Sequence, residues 1–250
     1  MDWSIASNIL TLCISVLVLS GCSKDGEATC VQGHGDEATQ IRQFNPFQKL
    51  EVAGRFNLTI IEDSVDYAQI TFGSNTIDGI RTEVSSGVLS ITEDNKCDFV
   101  RDVYPLTDIE LHTSALWHVY CQNAGMTQFG IPFTGDSLLI EAYDVSGDLD
   151  VWVENSRTSV VVHTGATDIA LRGTTTDLYL YNSGYAPIRA ENLIARRASV
   201  HNNNLANTYV NAWDKVYYQI FHTGDIIVYG PADVVKWKHE GSGTILYDSL

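Results

Sequence analysis

Six short runs decide the fold: DLDVWV (148–153), DIALRG (168–173), PIRAEN (187–192), NTYVNA (207–212), DIIVYG (225–230) and GTILYD (243–248). Each opens on a turn-type residue and continues into a β-prone stretch. Their first residues lie 18 to 20 positions apart. A second set falls between them: LLIEAY (138–143), SVVVHT (159–164), DLYLYN (177–182), ASVHNN (198–203), VYYQIF (216–221) and VVKWKH (234–239). One period of about 19 residues thus carries two strands. A fixed short period without helices is the signature of a coil-by-coil repeat.

Aligned on the first set, Leu149, Ile169, Ile188, Thr208, Ile226 and Thr244 form one column. Val151, Leu171, Ala190, Val210, Val228 and Leu246 form a second. Stacked small and aliphatic side chains belong inside. The column between them, Trp152, Arg172, Glu191, Asn211, Tyr229 and Tyr247, is chemically mixed and is expected to face out. The expected fold is all-β: a right-handed parallel β-helix, or β-solenoid, with coils of about 19 residues. An antiparallel β-sandwich spaces its strands similarly and is the alternative.

Working towards the N-terminus, residues 44–135 keep the period-two alternation in LEVA (50–53), FNLTII (56–61), DYAQITF (66–72) and GVLSIT (87–92). The repeat is legible only beyond a candidate subdivision near residue 136. Residues 22–43 are small and polar, with Gly26, Gly33 and Gly35, and read as a tether. The β domain is expected over 44–250.

Ile9 to Leu19 reads ILTLCISVLVL, too short for a comfortable membrane span. It matches the apolar core of a signal peptide over residues 1–21. The run ends in Leu19-Ser20-Gly21-Cys22, which resembles the bacterial lipobox. Small residues admit the peptidase, and only a cysteine thiol can carry the diacylglyceryl thioether. Cys22 is therefore the expected lipid anchor. Residues 1–8 depart from the pattern in carrying Asp2 and no Lys or Arg. The expected location is the outer membrane, on its periplasmic or cell-surface face. Export permits a disulfide, and Cys97 with Cys121 is the preferred pair, although all three of Cys30, Cys97 and Cys121 could equally be free.

Formal net charge is −16, from 31 acidic and 15 basic residues. With no local basic cluster, this surface repels phosphate backbones and argues against nucleic acid as a partner.

Three blocks carry a family resemblance: FQKLEVAGRFNLTIIED (47–63), GVLSITEDNKCDFVR (87–101) and HTGDIIVYGPADVVKWKHEGSGTILY (222–247). They resemble the auto-transporter adhesin, head GIN domain family, exported proteins and lipoproteins of Gram-negative bacteria. The resemblance covers about 44–250, and its most specific parts are GDIIVYGP (224–231) and GSG (241–243). It implies a β-solenoid-like fold and suggests an adhesive or carbohydrate-related surface role. The chain has fewer Gly-Ser-Gly-Asp turns than the common pattern, with partial copies at Ser146-Gly-Asp and Thr223-Gly-Asp.

Catalytic chemistry on a solenoid needs converging carboxylates. Asp148 with Asp150 is the best pair, followed by Asp168 and Asp225. Three of these mark the same turn of successive repeats, which turn chemistry explains without catalysis. His112 and His118 are expected on one face of one extended strand. No zinc-type spacing, nucleophile elbow or phosphate loop occurs. No catalytic residue, metal or cofactor is assigned.

Aromatic side chains are enriched in the last coils: Tyr179, Tyr181, Tyr217, Tyr218, Tyr229, Trp237 and Tyr247. Strand propensity and packing account for them without a ligand. The candidate ligand-binding residues are Trp152, Tyr229 and Tyr247, for a glycan or an envelope or surface protein. A carbohydrate-active lyase or hydrolase on the same fold is the second reading, and a structural envelope lipoprotein without a ligand is the third.

Overall fold

The computed structural model describes residues 33–95 and 105–248. The signal segment, Cys22, Cys30 and Cys97 lie outside the described residues. The described chain forms β1 (Glu37–Gln43), β2 (Lys49–Gly54), β3 (Phe56–Glu62), β4 (Tyr67–Gly73), β5 (Ile80–Ser85), β6 (Val88–Glu93), β7 (Thr107–Thr113), β8 (His118–Asn123) and β9 (Thr127–Phe129). It continues with β10 (Ser137–Ala142), β11 (Leu149–Val162), β12 (Ile169–Asn182), β13 (Ile188–Asn202), β14 (Thr208–Ile220), β15 (Ile226–Tyr229), β16 (Asp233–His239) and β17 (Ile245–Asp248).

These strands stack as two parallel ladders in a β-solenoid of about seven turns. The first ladder runs β7, β3, β9, the first halves of β11 to β14, then β15 and β17. The second runs β6, β2, β8, β10, the second halves of β11 to β14, then β16. Strands β11 to β14 are long because each passes through a corner from one ladder to the other. At the β11 corner the carboxamide oxygen of Asn155 accepts from Thr158 Oγ1 at 2.9 Å and from Thr175 Oγ1 of the next coil at 2.8 Å.

The interior is made where the two ladders face each other. Leu89, Leu50, Val119, Ile140, Val160, Leu180, Val200 and Tyr218 stack in one buried column. Burying each aliphatic side chain stabilises the fold by about 1.5–3 kcal/mol. The wide turn returning to the first ladder is sealed by buried amides. Asn202 Nδ2 donates to the carbonyl of Gly224 at 2.9 Å, and Asn204 Nδ2 donates to Asn182 Oδ1 at 3.0 Å. Buried amides are tolerable because their polar atoms are paired.

The N-terminal end is built differently. The rung β2/β3 comes first in the chain but second in space, between β6/β7 and β8/β9. Strand β4 lies antiparallel to β7, β1 antiparallel to β4, and β5 antiparallel to β6. These antiparallel strands cover ladder edges that would otherwise offer unpaired backbone groups. At the other end β16 and β17 are largely exposed.

Several expectations change. Strand β1 lies inside the segment 22–43 read as a tether. Its residues EATQIRQ alternate only between exposed and half-buried positions, so no apolar period marks it. The last coil is one residue out of the expected register. Ile245, not Thr244, pairs with Ile226, and Tyr247 pairs with the inward Val228. A slip of one residue swaps the faces of a strand, so Tyr247 does not continue the outward column. Cys121 is a buried free thiol, 3.8 Å from Thr127 Oγ1, stacked between Val52 and Ala142. This inward stacking, and the burial that pushes its pKa up, make it a core residue. His112 lies one residue before the end of β7 and His118 begins β8, so they belong to different ladders.

Candidate functional site

Of the expected ligand-binding residues, Trp152 and Tyr229 sit on the outer side of the first ladder, Tyr247 falls out of their column, and the three do not converge. Trp152 is half-buried under the guanidinium of Arg172, 4.2 Å from its ring centroid. Asp150 holds that guanidinium through contacts of 3.2 and 3.4 Å. The indole face is therefore already occupied by a cation–π contact. Tyr229 lies four strands further along, and its hydroxyl donates to Asp248 at 3.5 Å. Burial and the nearby Asp248 carboxylate raise its pKa. Tyr247 is 67% exposed on the terminal strand.

The second ladder carries a more organised surface. In register across β11 to β14, Ser159, Tyr179, Ser199 and Tyr217 form one outward column. Small and large side chains alternate along it, and all four line one groove. The strands are spaced about 4.8 Å apart, which puts the Cα atoms of Tyr179 and Tyr217 about 9.6 Å apart. Two apolar contacts of about 3.5–4.0 Å fit within that interval. Ser199 thus lies between the two tyrosines, and all three line one groove.

Trp237 completes the wall. The β14–β16 pairing shifts between Tyr218 and Gln219, so that Lys236 and Lys238 are paired while Trp237 is the extra residue. A bulge re-aims the side chain it carries. Here it stacks Trp237 on Tyr217, with centroids 5.2 Å apart and planes 29° apart. His201 braces the cluster, 5.2 Å from Tyr179 and 5.8 Å from Trp237. Its Nε2 is buried without a hydrogen-bond partner in the described structure. Burial lowers its pKa, which favours the neutral imidazole. Burial likewise raises the pKa of Tyr179, with Tyr181 adding to the effect. Tyr218, by contrast, is a core residue.

One edge of this groove is a charged row in which Arg157, Asp177 and Arg197 are in register. Arg197 grips Asp177 with two hydrogen bonds of 2.7 and 2.9 Å, and Arg157 contacts Asp136 at 3.4 Å. The groove encloses about 360 Å³, within the range of small-ligand sites. The signal for it was present in the sequence as the spacing of Ser159, Tyr179, Ser199 and Tyr217. The β16 bulge that brings in Trp237 leaves no such mark.

The turn aspartates do not assemble a catalytic pair. Asp225 Oδ1 accepts from the backbone N–H and hydroxyl of Thr244, at 2.8 and 3.1 Å, tying one coil to the next. The backbone carbonyls of Asp148 and Asp168 accept from Thr127 and Leu149 in neighbouring rungs. Among the described residues, no cluster of three His, Cys, Asp or Glu side chains could hold a metal ion, and no helix is long and apolar enough to cross a membrane.

Comparison with known proteins places this geometry. Residues 46–232 match the family described as "Putative auto-transporter adhesin, head GIN domain". A structure described as a putative adhesin from Bacteroides fragilis superposes with a TM-score of 0.79 at 20% identity, over 85% of this chain and 97% of that one. A "putative lipid binding protein" from Parabacteroides distasonis gives a TM-score of 0.63 at 18% identity, over 86% and 98%. A putative adhesin from Parabacteroides merdae gives 0.61 at 16%, over 87% and 98%. At these identities the likeness is one of fold. No curated protein matches the chain.

Proposed function

Because the chain belongs to the auto-transporter adhesin, head GIN domain family, we propose that it is an exported, non-catalytic binding protein that presents its solenoid to an envelope or surface partner. In this reading Cys22 anchors it by lipid to the outer membrane, on the periplasmic or cell-surface face. The observation that carries the binding role is the groove walled by Tyr179, Tyr217 and Trp237. Its rings and paired charges are the ingredients of an orienting site: apolar surface with a few fixed polar groups. The Asp225 carboxylate ties two coils together and the Asp150 carboxylate holds Arg172, so two of the four candidate carboxylates are engaged in structure, which speaks for binding over a lyase or hydrolase.

Two experiments test this reading. Metabolic labelling with a fatty acid should mark the wild-type chain and not Cys22→Ala, and label retained in the variant would remove the anchor. Retention of the purified full chain on envelope material and intact cells should fall in Tyr217→Ala and Trp237→Ala. Equal retention would favour the structural reading, whereas turnover of a polysaccharide lost in Asp148→Ala would favour the enzyme.

A second surface supports a lipid-contact reading. Ile41 and Val65, both exposed, flank a groove of about 550 Å³ with Phe44 and Tyr67. One fold relative is described as a putative lipid binding protein. Binding to phospholipid vesicles that is lost in Ile41→Ser and unaffected by Tyr217→Ala would assign lipid contact to this face.

A further inference from the structure

We infer that the groove on the second ladder binds the pyranose rings of a neutral oligosaccharide, one ring entering between Tyr179 and Tyr217 above Ser199. This deepens the proposed binding function and rests on it.

Three features select the ligand class. The first is the gap itself. The Tyr179–Ser199–Tyr217 register sets a small side chain between two phenols, and all three line the same groove, at a strand spacing that suits one ring between them. The C–H faces of a pyranose satisfy such walls, because its axial hydrogens present apolar surface while its hydroxyls project from the rim. The stacked Trp237 widens this apolar wall beyond Tyr217, so a neighbouring sugar ring has a platform as well.

The second feature is the polar edge. Arg197 and Asp177 are joined as a bidentate pair, which offers donors and acceptors side by side. Adjacent sugar hydroxyls each donate and accept, and they match such a pair without displacing a charge. The hydroxyls of Ser159 and Ser199 add donor and acceptor capacity along the same column.

The third feature is charge. Arg157 is paired with Asp136 and Arg197 with Asp177, and Lys215, next in register after Arg197, lies opposite Asp233, so cations and carboxylates stand in equal number along this edge. The whole chain carries a formal charge of −16. An anionic polysaccharide would meet an overall repulsive field, and the two arginines of the row are already engaged by carboxylates. A neutral sugar meets neither penalty.

The test is calorimetric titration of the full chain with neutral hexasaccharides (β-1,4-glucan, β-1,3-glucan, α-1,4-glucan and β-1,4-mannan), alongside hexagalacturonate. At least one neutral hexasaccharide should bind, and hexagalacturonate should bind about tenfold more weakly or not at all. Tyr217→Ala should lower the neutral affinity about tenfold, while Tyr217→Phe, which keeps the ring, should stay close to wild type. Ser199→Tyr fills the gap while keeping every aromatic wall, and should abolish binding in a chain whose circular dichroism and melting are unchanged. It serves as the decisive variant if Tyr217→Ala fails to fold. No binding by any neutral hexasaccharide, parity with hexagalacturonate, or binding that survives Ser199→Tyr would overturn the assignment. Retention on envelope material that depends on Tyr217, without sugar binding, would sink only the sugar and leave the binding function standing.

Discussion

The coils of β11 to β14 and the N-terminal region of β1 to β9 are made of the same strands stacked in different ways. In the coils, each strand lies beside the next in sequence, with equivalent positions such as Leu149, Ile169, Ile188 and Thr208 in direct register. In the N-terminal region, β2 and β3 are inserted between later strands, and three antiparallel pairings close the end. A nearest-neighbour stack can open one coil at a time. An inserted rung can be released only if the rungs on both sides part. The N-terminal region should therefore behave as the locked end of the solenoid, and the β16/β17 end as the loose one.

The largest test of that contrast is Leu58→Ala. Leu58 is fully buried between Ile109 and Thr127, in the inserted rung. A loss of about 2–5 kcal/mol is expected in urea unfolding. Leu246→Ala, at a position 46% exposed on β17, should fall within about 0.5 kcal/mol of wild type. Similar losses at the two sites would break the distinction.

Next come the buried asparagines. Asn123 binds both the N–H and the carbonyl of Phe56, at 2.9 and 2.8 Å, and so ties β8 to the corner of the inserted rung. Asn202 bonds carbonyls of its own turn and of the following coil. Each Ala variant should cost about 1–3 kcal/mol. Hydrogen exchange should distinguish them: Asn202→Ala speeds exchange only in the stacked turns near residues 203–207 and 222–225, whereas Asn123→Ala speeds it across β2, β3 and β8. Local exchange in both would argue against locking.

A smaller effect belongs to the coil surface. A double-mutant cycle on Trp152 and Arg172 should return a coupling of about 0.5–1 kcal/mol. A coupling of zero would free the Trp152 face for a ligand and revive the first-ladder site.

The smallest effect is a pH dependence at the locked end. His112 is stacked on Tyr67, with centroids 4.2 Å apart, and bonded to Asp63 and Glu110 at 2.8 and 2.9 Å. Burial alone would lower its pKa, but the two carboxylates outweigh it and raise the value. The contribution to stability is complete below the unfolded value of about 6.5 and is lost as pH rises through the folded pKa. Denaturation midpoints should accordingly fall slightly between pH 6 and pH 8, and His112→Gln should flatten that decline.

The sequence by itself determined the repeat, the β character and the two inward columns, because a parallel stack forces like residues onto like positions every 18 to 20 residues. It also located most of the aromatics, although not their partners. Only tertiary structure decided that Trp152 is capped by Arg172, that β16 bulges to put Trp237 on Tyr217, and that the last coil slips by one residue. It alone decided that β2 and β3 are threaded between later strands. Periodicity reports which face a residue occupies within its own strand. It does not report which strand comes to lie alongside, because that is settled by contacts between residues far apart in the chain.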